Sequence, residues 1–342
     1  MLSSLCQALT SAGCDVTALV GSGVPQAETA LSSAGVRWEK VELDAANPQM
    51  LANSVTQKGR YDAVCLIAPE LQGALAHWIH TLHRAGVPLL NCSGGFLHNT
   101  SDKWRTSCLL HQHGFPHPPT KLLGRVTARW INQVQQQWGN ASWVGKPRDG
   151  AGGEQLEIWS TDELLAHLKN GEGEGTASPA GMNATERSET TGDPLIVQPF
   201  VAGMAASCCG LVDRYGRCYW LPPLQQQLVE ANGRLHYRGG APLDLARKQV
   251  TELHRLLDQA MRVLGQKAFG WIGVDLVYRP TPPHWTIIEW NPRATSSLIG
   301  WQRAEPVAVG QLFRMALSRD GFPSTTRGAT VRSPLRPVTF EL

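Results

Sequence analysis

Three oxygen-bearing side chains in the last third of the chain have the types and spacing of a metal site. The segment 286–293 reads Thr-Ile-Ile-Glu-Trp-Asn-Pro-Arg, and Asp275 lies in a second apolar run just upstream. Because side chains alternate between the two faces of a strand, Glu289 and Asn291 point to the same side. Two carboxylates and one amide oxygen on adjoining strands form a ligand set that Mg²⁺ prefers. The alternative is a solvated hairpin face with ordinary polar residues.

The residues around this cluster indicate how it is held and what it faces. The same alternation places Ile288 and Trp290 in a core. Pro292 cannot extend a central strand, so we expect the strand to end there and to leave Arg293 at the mouth of the site. A cation beside a metal cluster suits the negative charge that develops during phosphoryl transfer.

A lysine followed by a glycine-rich loop forms a second candidate site. Residues 146–153 read Lys-Pro-Arg-Asp-Gly-Ala-Gly-Gly, and the apolar run before Lys146 predicts a strand that delivers this lysine. Gly150, Gly152 and Gly153 allow the backbone to turn through positive φ and to approach a ligand closely. Successive free N–H groups in such a loop bind anions, and the lysine adds a point charge for phosphate. The loop leads into a strand, unlike the Walker and dinucleotide-binding motifs, and a plain hairpin turn is the alternative.

Two further segments contain polar groups that suit nucleotide binding. Residues 196–203 read Ile-Val-Gln-Pro-Phe-Val-Ala-Gly, an apolar strand in which Gln198 is able to bond the edge of a base. Residues 100–104 read Thr-Ser-Asp-Lys-Trp, a helix start with Lys103 in its first turn. Taken singly, the first segment is a buried strand and the second is a capped helix with a solvent-exposed lysine.

Composition limits the class of protein. With 342 residues the chain is long enough for two or three domains, and 42% hydrophobic with 17% charged residues is typical of a soluble globular protein. The net charge of +3 without a Lys/Arg block gives no support to nucleic acid binding, and no apolar run reaches membrane-spanning length. The eight cysteines form no Cys-x-x-Cys pair and no signal peptide is recognisable, so we expect free thiols in the cytoplasm.

The elements that must position these residues begin with alternating helices and strands over residues 2–95. This alternation predicts a parallel sheet of βαβ units. A domain of this type usually begins with a strand and a glycine turn, whereas this chain opens on a helix, so we expect a missing first strand or a misplaced start codon. The predicted helices are 2–9, Gln26–Ala34, Pro48–Lys58 and Leu71–Ala85, and the predicted strands are Val16–Val20, Trp38–Leu43, Ala63–Ala68 and Pro88–Asn91.

Residues 96–320 are predicted to form helices and then mostly strands. Residues 96–137 read as helical with a Pro-rich break, and Leu245–Leu264 reads as a long amphipathic helix. Residues 170–193 contain almost no large apolar side chain, so we expect a flexible insertion there, and we expect the tail after Gly321 to be poorly ordered until its end. The predicted strands are Trp143–Lys146, Leu156–Trp159, Ile196–Val201, Ser207–Val212 and Cys218–Leu221, followed by the two runs that carry Asp275 and Glu289.

Taken in order, the four motifs form a known arrangement. The motifs at Lys103, at Lys146, at 198–203 and at 275–291 resemble the ATP-grasp superfamily over nearly the whole chain. The resemblance implies an α/β protein with the ATP-grasp fold, in which two α+β subdomains clasp ATP after a parallel α/β pre-ATP-grasp domain. The implied divisions are residues 1–95 for the first domain, 96–197 and 198–320 for the two subdomains, and 321–342 for the tail.

The resemblance implies a role for each motif. ATP would lie between the subdomains, with the loop 149–153 closed over its phosphates and with a backbone amide and carbonyl reading the adenine edge. Two Mg²⁺ ions, for which Mn²⁺ is able to substitute, would be held by the oxygen cluster, with Glu289 bridging both. The implied phosphate ligands are Lys103, Lys146, Gly150, Gly152 and Gly153, the adenine pocket is lined by Gln198, Phe200 and Val201, the metal ligands are Asp275, Glu289 and Asn291, and Arg293 acts with Lys146 in phosphoryl transfer.

One departure from the family pattern concerns the ribose. Many ATP-grasp enzymes have an acidic residue two positions after the hinge glycine, whereas Gly203 is followed here by Met204-Ala205-Ala206. The departure leaves the ribose contact unassigned and keeps a non-catalytic, nucleotide-binding subunit among the alternatives.

The family resemblance implies an ATP-dependent carboxylate–amine ligase that forms an amide bond through an acyl phosphate. Within the superfamily, residues 225–242 and 289–297 look most like the tyramine–glutamate ligases of methanofuran biosynthesis. Ligases for other amino acids or dipeptides share much of this pattern and stay as alternatives, as does a bicarbonate-activating carboxylase. The implied partners are small-molecule carboxylate and amine substrates, with no nucleic acid and no membrane, and we expect a homodimer.

Overall fold

Three sheets and the helices that cover them make up the part of the chain that the computed structural model describes. It describes residues 1–21, 24–41, 48–58, 61–68, 73–139, 142–150, 156–171, 195–231, 234–323 and 338–341. None of the helices within these ranges is both long and apolar enough to cross a membrane. All eight cysteines are free, as predicted.

Most of the predicted elements are present with similar bounds, whereas the strands within 224–242 and the helices within 297–317 were not predicted. The helices are α1 Leu2–Ser11, α2 Pro25–Ser33, α3 Gln49–Lys58, α4 Ala74–Arg84, α5 Gly94–Thr100, α6 Lys103–Gln112, α7 Ala128–Trp138, α8 Thr161–Gly171, α9 Arg247–Leu264, α10 Ser297–Ala304 and α11 Pro306–Leu317. The strands are β1 Thr17–Gly21, β2 Arg37–Val41, β3 Lys121–Leu122, β4 Ser142–Pro147, β5 Glu157–Ser160, β6 Leu195–Pro199, β7 Met204–Val212, β8 Cys218–Trp220, β9 Leu224–Ala231, β10 Arg234–Pro242, β11 Gly270–Tyr278, β12 Trp285–Asn291 and β13 Phe340–Glu341.

The N-terminal region is parallel, as its alternation predicts, but it has less strand than expected. β1 and β2 pair in parallel, and the predicted strands at 63–68 and 88–91 are reduced to one parallel bridge between Val64 and Leu89. The Asn91 side chain explains this. Its amide donates to the Leu66 carbonyl at 2.9 Å and its carbonyl accepts from the Leu66 N–H at 2.8 Å, so a side chain replaces the backbone ladder there.

A four-stranded antiparallel sheet, in the order β3-β6-β4-β5, forms the middle of the chain. Its core is made by Trp143 and Trp159 from the sheet with Ile131 and Val134 of α7. Lys146 stands near the end of β4, opposite Ile196 of β6. The predicted insertion begins two residues too early, because α8 continues to Gly171, and the rest of it lies outside the described residues.

The seven-stranded sheet lies between two helical layers. Its path is β12-β11-β7-β9-β10-β13, with β8 also paired to β7. One face packs on α9, α5 and α6, and the other packs on α1, α10 and α11. The adjacent Cys208 and Cys209 belong to these two opposite cores, as expected for neighbours in a strand.

A β-bulge corrects one prediction about β12. Asp275 pairs with Glu289, but Leu276 pairs with Ile287, so Ile288 is an extra residue. Ile287 and Trp290 therefore share a core, while Ile288 is only half-buried and does not join it. Because of the bulge, Ile287 points into the core and Glu289 points into the site, although the two residues are only two positions apart in the strand.

The N-terminal helix α1 packs against helices that are distant from it in the sequence. Leu5 and Ala8 of α1 belong to the same core as Trp301 and Phe313 of the C-terminal helices. Gly310 of α11 lets the two helices touch, because a β-carbon at this position would collide with the backbone carbonyl of Ala8.

Replacing Gly310 by alanine is expected to lower the free energy of unfolding by about 1–3 kcal/mol, the usual range for overpacking a tight contact. Gln311→Ala, one residue along on the exposed side of the same helix, is the control and should change stability little. Urea unfolding measures both variants. A Gly310→Ala variant as stable as the parent protein would contradict the described packing of α1 on α11.

Candidate active site

Two lysines from different elements converge on one carboxylate. Lys103 is the first residue of α6, whose start is fixed by Asp102, since the Asp102 carboxylate accepts from the N–H groups of Trp104 and Arg105. The Lys103 ammonium lies 3.4 Å from one oxygen of Glu289. The ammonium of Lys146, a residue that is 4% exposed, lies 3.5 Å from the other oxygen. Glu289 thus carries one lysine on each oxygen.

The first part of the glycine loop is tied to the start of α6. The Arg148 guanidinium donates to the Asp102 carboxylate at 2.6 Å, and the Lys103 N–H donates to the Arg148 carbonyl at 2.8 Å. The Lys103 ammonium also donates to the carbonyl of Gly150 at 3.0 Å, and Gly150 has a φ of +108°, a backbone conformation that favours glycine. Gly152 and Gly153, the other predicted loop residues, lie outside the described residues. The loop start and Lys103 therefore form one unit.

The predicted oxygen cluster is assembled by the pairing of β11 with β12. Asp275 stands opposite Glu289, and Asn291 stands opposite Gly273. The Asn291 amide donates to one Asp275 oxygen at 3.1 Å, and Gln226 of β9 donates to the other at 2.7 Å. The sequence pattern did not single out Gln226, although it lies in a run of three glutamines.

The charged side chains in this cluster shift one another's pKa values. Burial, followed by the nearby charge of Glu289, raises the pKa of Asp275 to about 6. Burial alone would also raise the pKa of Glu289, but the charges of Lys103 and Lys146 hold it below its usual value. Burial lowers the pKa of Lys146, and Glu289 opposes that change. The two lysines therefore compensate Glu289, whereas at Asp275 the charge of Lys146 offsets burial and the repulsion from Glu289 only in part.

The donor set fits a hard divalent cation. Two carboxylates face each other, and the Asn291 amide nitrogen is used by Asp275, which leaves the amide oxygen as a possible ligand. A cation between Asp275 and Glu289 would offset the repulsion that raises the Asp275 pKa. Among the described residues no group of three or more His, Cys, Asp and Glu side chains could hold a metal ion. A metal bound here would therefore need oxygens from elsewhere, as Mg²⁺ takes from phosphates.

Gln198 makes its contacts inside the protein. It is buried, and its amide donates to the Thr120 hydroxyl at 2.8 Å and lies 3.4 Å from Nε2 of His117. Nδ1 of His117 donates to the Ile287 carbonyl at 2.8 Å, and the Ile287 N–H donates to the Pro116 carbonyl at 2.8 Å. This chain of hydrogen bonds joins β6 of the four-stranded sheet to β12 of the seven-stranded sheet.

We expect His117 to make the folded protein sensitive to acid. Burial lowers the pKa of His117 to about 3 from its ordinary 6.5. The unfolded chain therefore binds the proton first, so stability is full above pH 6.5 and falls towards pH 3, by at most about 1.4 kcal/mol per pH unit. Urea unfolding at several pH values should show a shallower slope for His117→Asn than for the parent protein. Equal slopes would contradict this assignment.

The other predicted site residues differ in how much of each is still available to a ligand. The Phe200 N–H donates to the Ser142 carbonyl at 2.9 Å, so it is not available to a base. Val201 follows the end of β6 and is half-buried. β12 ends at Asn291, just before Pro292, as predicted, and Arg293 is half-buried and donates to the Ala294 carbonyl at 3.1 Å.

Known proteins share this architecture. The family model of the ATP-grasp domain matches residues 100–297, and that of the pre ATP-grasp 3 domain matches residues 30–95. No curated protein matches the chain in sequence.

Solved structures with similar folds include carboxylases and a ligase. Biotin carboxylase of Campylobacter jejuni, in its β,γ-ATP complex, has a TM-score of 0.66 at 14% identity, over 95% of this chain and 70% of that one. The biotin carboxylase domain of Hydrogenobacter thermophilus 2-oxoglutarate carboxylase, solved with MgADP, ADP and bicarbonate, has a TM-score of 0.61 at 15% identity, over 86% of this chain and 62% of that one. D-alanine–D-alanine ligase of Bacillus anthracis has a TM-score of 0.55 at 13% identity, over 81% of this chain and 86% of that one.

These low identities establish the fold and nothing finer. The predicted fold class is confirmed, because both the family models and the structures give an ATP-grasp fold after a pre-ATP-grasp domain. The boundaries predicted for the domains and the roles predicted for the site residues stay predictions. Since its model matches more than half of the sequence, the chain belongs to the ATP-grasp family.

Proposed function

We propose that this protein is an ATP-dependent ligase that activates a carboxylate and joins it to an amine. The observation that carries the proposal is the convergence of Lys103 and Lys146 on Glu289, beside Asp275. Two lysines that would bind phosphate and two carboxylates that would bind a metal ion thus lie together, between the two antiparallel sheets. Family membership and the relatives solved with ATP or MgADP support ATP and Mg²⁺ as the cofactors.

The residues divide into those that hold phosphate and those that hold metal. Lys103 and Lys146 would leave Glu289 for the phosphates, while Asp275, Glu289 and Asn291 would hold two Mg²⁺, or Mn²⁺ in their place. When bound, the metal would neutralise phosphate charge and orient the phosphates. The glycine loop would cover the phosphates, and Gln198, Phe200 and Val201 would lie at the adenine ring through groups other than the Phe200 N–H.

The proposed reaction has two steps. The substrate carboxylate attacks the γ-phosphorus of ATP, which forms an acyl phosphate and releases ADP. The uncharged amine then attacks the acyl carbon, phosphate leaves, and the amine loses a proton to give the amide. Arg293, directly after the metal ligands, would bind the transferring phosphoryl group and the acyl phosphate, and the protein's part is positioning and charge compensation.

The substrates are the finer part of the proposal. The likeness of 225–242 and 289–297 to tyramine–glutamate ligases supports glutamate as the carboxylate and tyramine or a similar amine as the acceptor. A ligase for another amino acid or dipeptide uses the same site residues. A homodimer stays a prediction.

A single assay tests the reaction class. ADP formation is measured with ATP, Mg²⁺, a panel of carboxylates that includes glutamate and a panel of amines that includes tyramine, with and without bicarbonate, and the product is examined by mass spectrometry. Amine-dependent ADP release with an amide product supports the ligase. Release that depends on bicarbonate supports a carboxylase instead, and no release with any carboxylate or amine supports a nucleotide-binding subunit. Lys146→Met, which removes one phosphate cation, is the inactive control.

Removal of the divalent cation is expected to stop ADP formation. An excess of EDTA should abolish the rate, because the ATP phosphates and the two carboxylates are all negative. Added Mg²⁺ should restore the rate in full, and Mn²⁺ should restore it at least in part. Undiminished turnover in EDTA would contradict the proposed metal site.

A further inference from the structure

We propose that Gln226 is a positioning residue that fixes the Asp275 carboxylate for metal binding. The inference rests on the proposed function, because it concerns the same metal site. It adds a residue on a third strand, β9, whose side chain acts through Asp275 and does not contact the metal.

The contacts around Asp275 define the role. Gln226 donates to Oδ1 of Asp275 at 2.7 Å, and Asn291 donates to Oδ2 at 3.1 Å. An ionised carboxylate has about four lone-pair sites, so these two amides occupy about half of them. The two hydrogen bonds prevent the Asp275 carboxylate from rotating. The lone pairs that Gln226 and Asn291 do not use therefore stay in a fixed orientation, available to a metal ion. Asn291 alone would hold a single oxygen and would leave the group free to turn.

The reach of the side chain shows why a glutamine is required. β7 lies between β9 and β11, so Gln226 must cross a whole strand to reach Asp275. Neighbouring strands lie about 4.8 Å apart, which makes the backbone separation about 9.6 Å. The β7 residues on this face of the sheet at the crossing are the small Ala205 and Ser207, which pair with Val277 and Asp275. Asparagine would be shorter by one carbon–carbon bond, about 1.5 Å, and would not reach.

The neighbouring glutamine supplies a matched comparison. Gln227 has the same side chain and is also half-buried, but strand alternation turns it to the opposite face of the sheet. None of the described residues forms a hydrogen bond with its amide group. A substitution at Gln227 therefore repeats the change in composition and in strand propensity without touching Asp275.

Metal affinity tests the inference directly. Mn²⁺ binding in the presence of saturating ADP is measured by electron paramagnetic resonance for the parent protein, Gln226→Met, Gln226→Asn and Gln227→Met. Methionine keeps the length but cannot donate, and asparagine can donate but is too short. Both Gln226 variants should bind Mn²⁺ about 10-fold more weakly or worse, as is usual for partners of metal ligands. Gln227→Met should bind as the parent does.

Two further measurements distinguish this positioning role from a purely structural role. ADP affinity without metal and the urea midpoint should change little in Gln226→Asn, because the change lies in the metal ligand and not in the fold. Parent-like Mn²⁺ affinity in both Gln226 variants would overturn the inference while leaving the proposed function intact. Failure of the parent protein to bind Mn²⁺ with ADP would instead overturn the proposed function itself.

Discussion

Replacing Glu289 by glutamine is expected to abolish ATP turnover and also to destabilise the ligand-free protein. Its carboxylate is the shared partner of Lys103 and Lys146, whose side chains are only 12% and 5% exposed. Glutamine keeps the shape but leaves two buried ammonium groups without their counter-charge. Breaking a buried ion pair from one side costs about 3 kcal/mol or more. Loss of a metal ligand should lower ADP formation by at least about 100-fold.

Both effects are measurable on one preparation. ADP release gives the rate, and urea unfolding without nucleotide gives the stability. Glu252→Gln is the control, since this exposed residue of α9 loses the same charge and forms no ion pair with Lys103 or Lys146. A Glu289→Gln variant as stable as the parent protein would show that the two lysines do not depend on Glu289.

Replacing Asp275 by asparagine is expected to abolish turnover equally but to leave the ligand-free protein at least as stable. Asp275 is a half-buried carboxylate, and among the charges near it the repulsion from Glu289 has the largest effect on its pKa. Asparagine removes this repulsion and has nearly the same shape. Its oxygen can still accept from Gln226, and a rotation of the Asn291 amide can restore the second bond. We therefore expect a stability equal to or above that of the parent protein, and a loss of at least about 100-fold in ADP formation.

The same two assays decide this case. A marked loss of stability in Asp275→Asn would contradict the view that burial and the repulsion from Glu289 outweigh the attraction between Asp275 and Lys146 in the ligand-free protein. Unchanged ADP formation would contradict its role as a metal ligand. We therefore expect both isosteric substitutions to abolish turnover, but only Glu289→Gln to lower the stability of the ligand-free protein.

The strand that carries the site shows what the sequence could and could not predict. Alternation placed Glu289 and Asn291 on one side, and Pro292 predicted the end of the strand, both as the structure has them. The alternation failed at Ile288, because a bulge depends on the pairing of two strands and leaves no mark in residue type. The effect is local, since Glu289 and Asn291 keep their common face beyond the bulge.

The other features that the sequence did not predict depend on contacts between distant segments of the chain. Gln226 reaches Asp275 across 49 positions, and Arg148 reaches Asp102 across 46. A single sequence gives no distance information at such separations, so both residues read as ordinary polar side chains. Asn91 was hidden in the same way, because its side chain takes over hydrogen bonds that the periodic pattern assigned to a strand. Local periodicity predicted the elements, and long-range pairing decided the details of the site.

The packing of α1 on α11 has a consequence for the order in which the chain can fold. Arg314 of α11 donates to the carbonyl of Ala12, just past the end of α1, across 302 positions. During synthesis α1 leaves the ribosome before α11, so the side of α1 that carries Leu5 and Ala8 lacks its α11 partners until α11 follows. Long-range closure of this kind is slow and exposes apolar surface in the meantime. The face of the sheet that carries Trp271 and Leu224 can therefore be covered completely only after α11 has been synthesised.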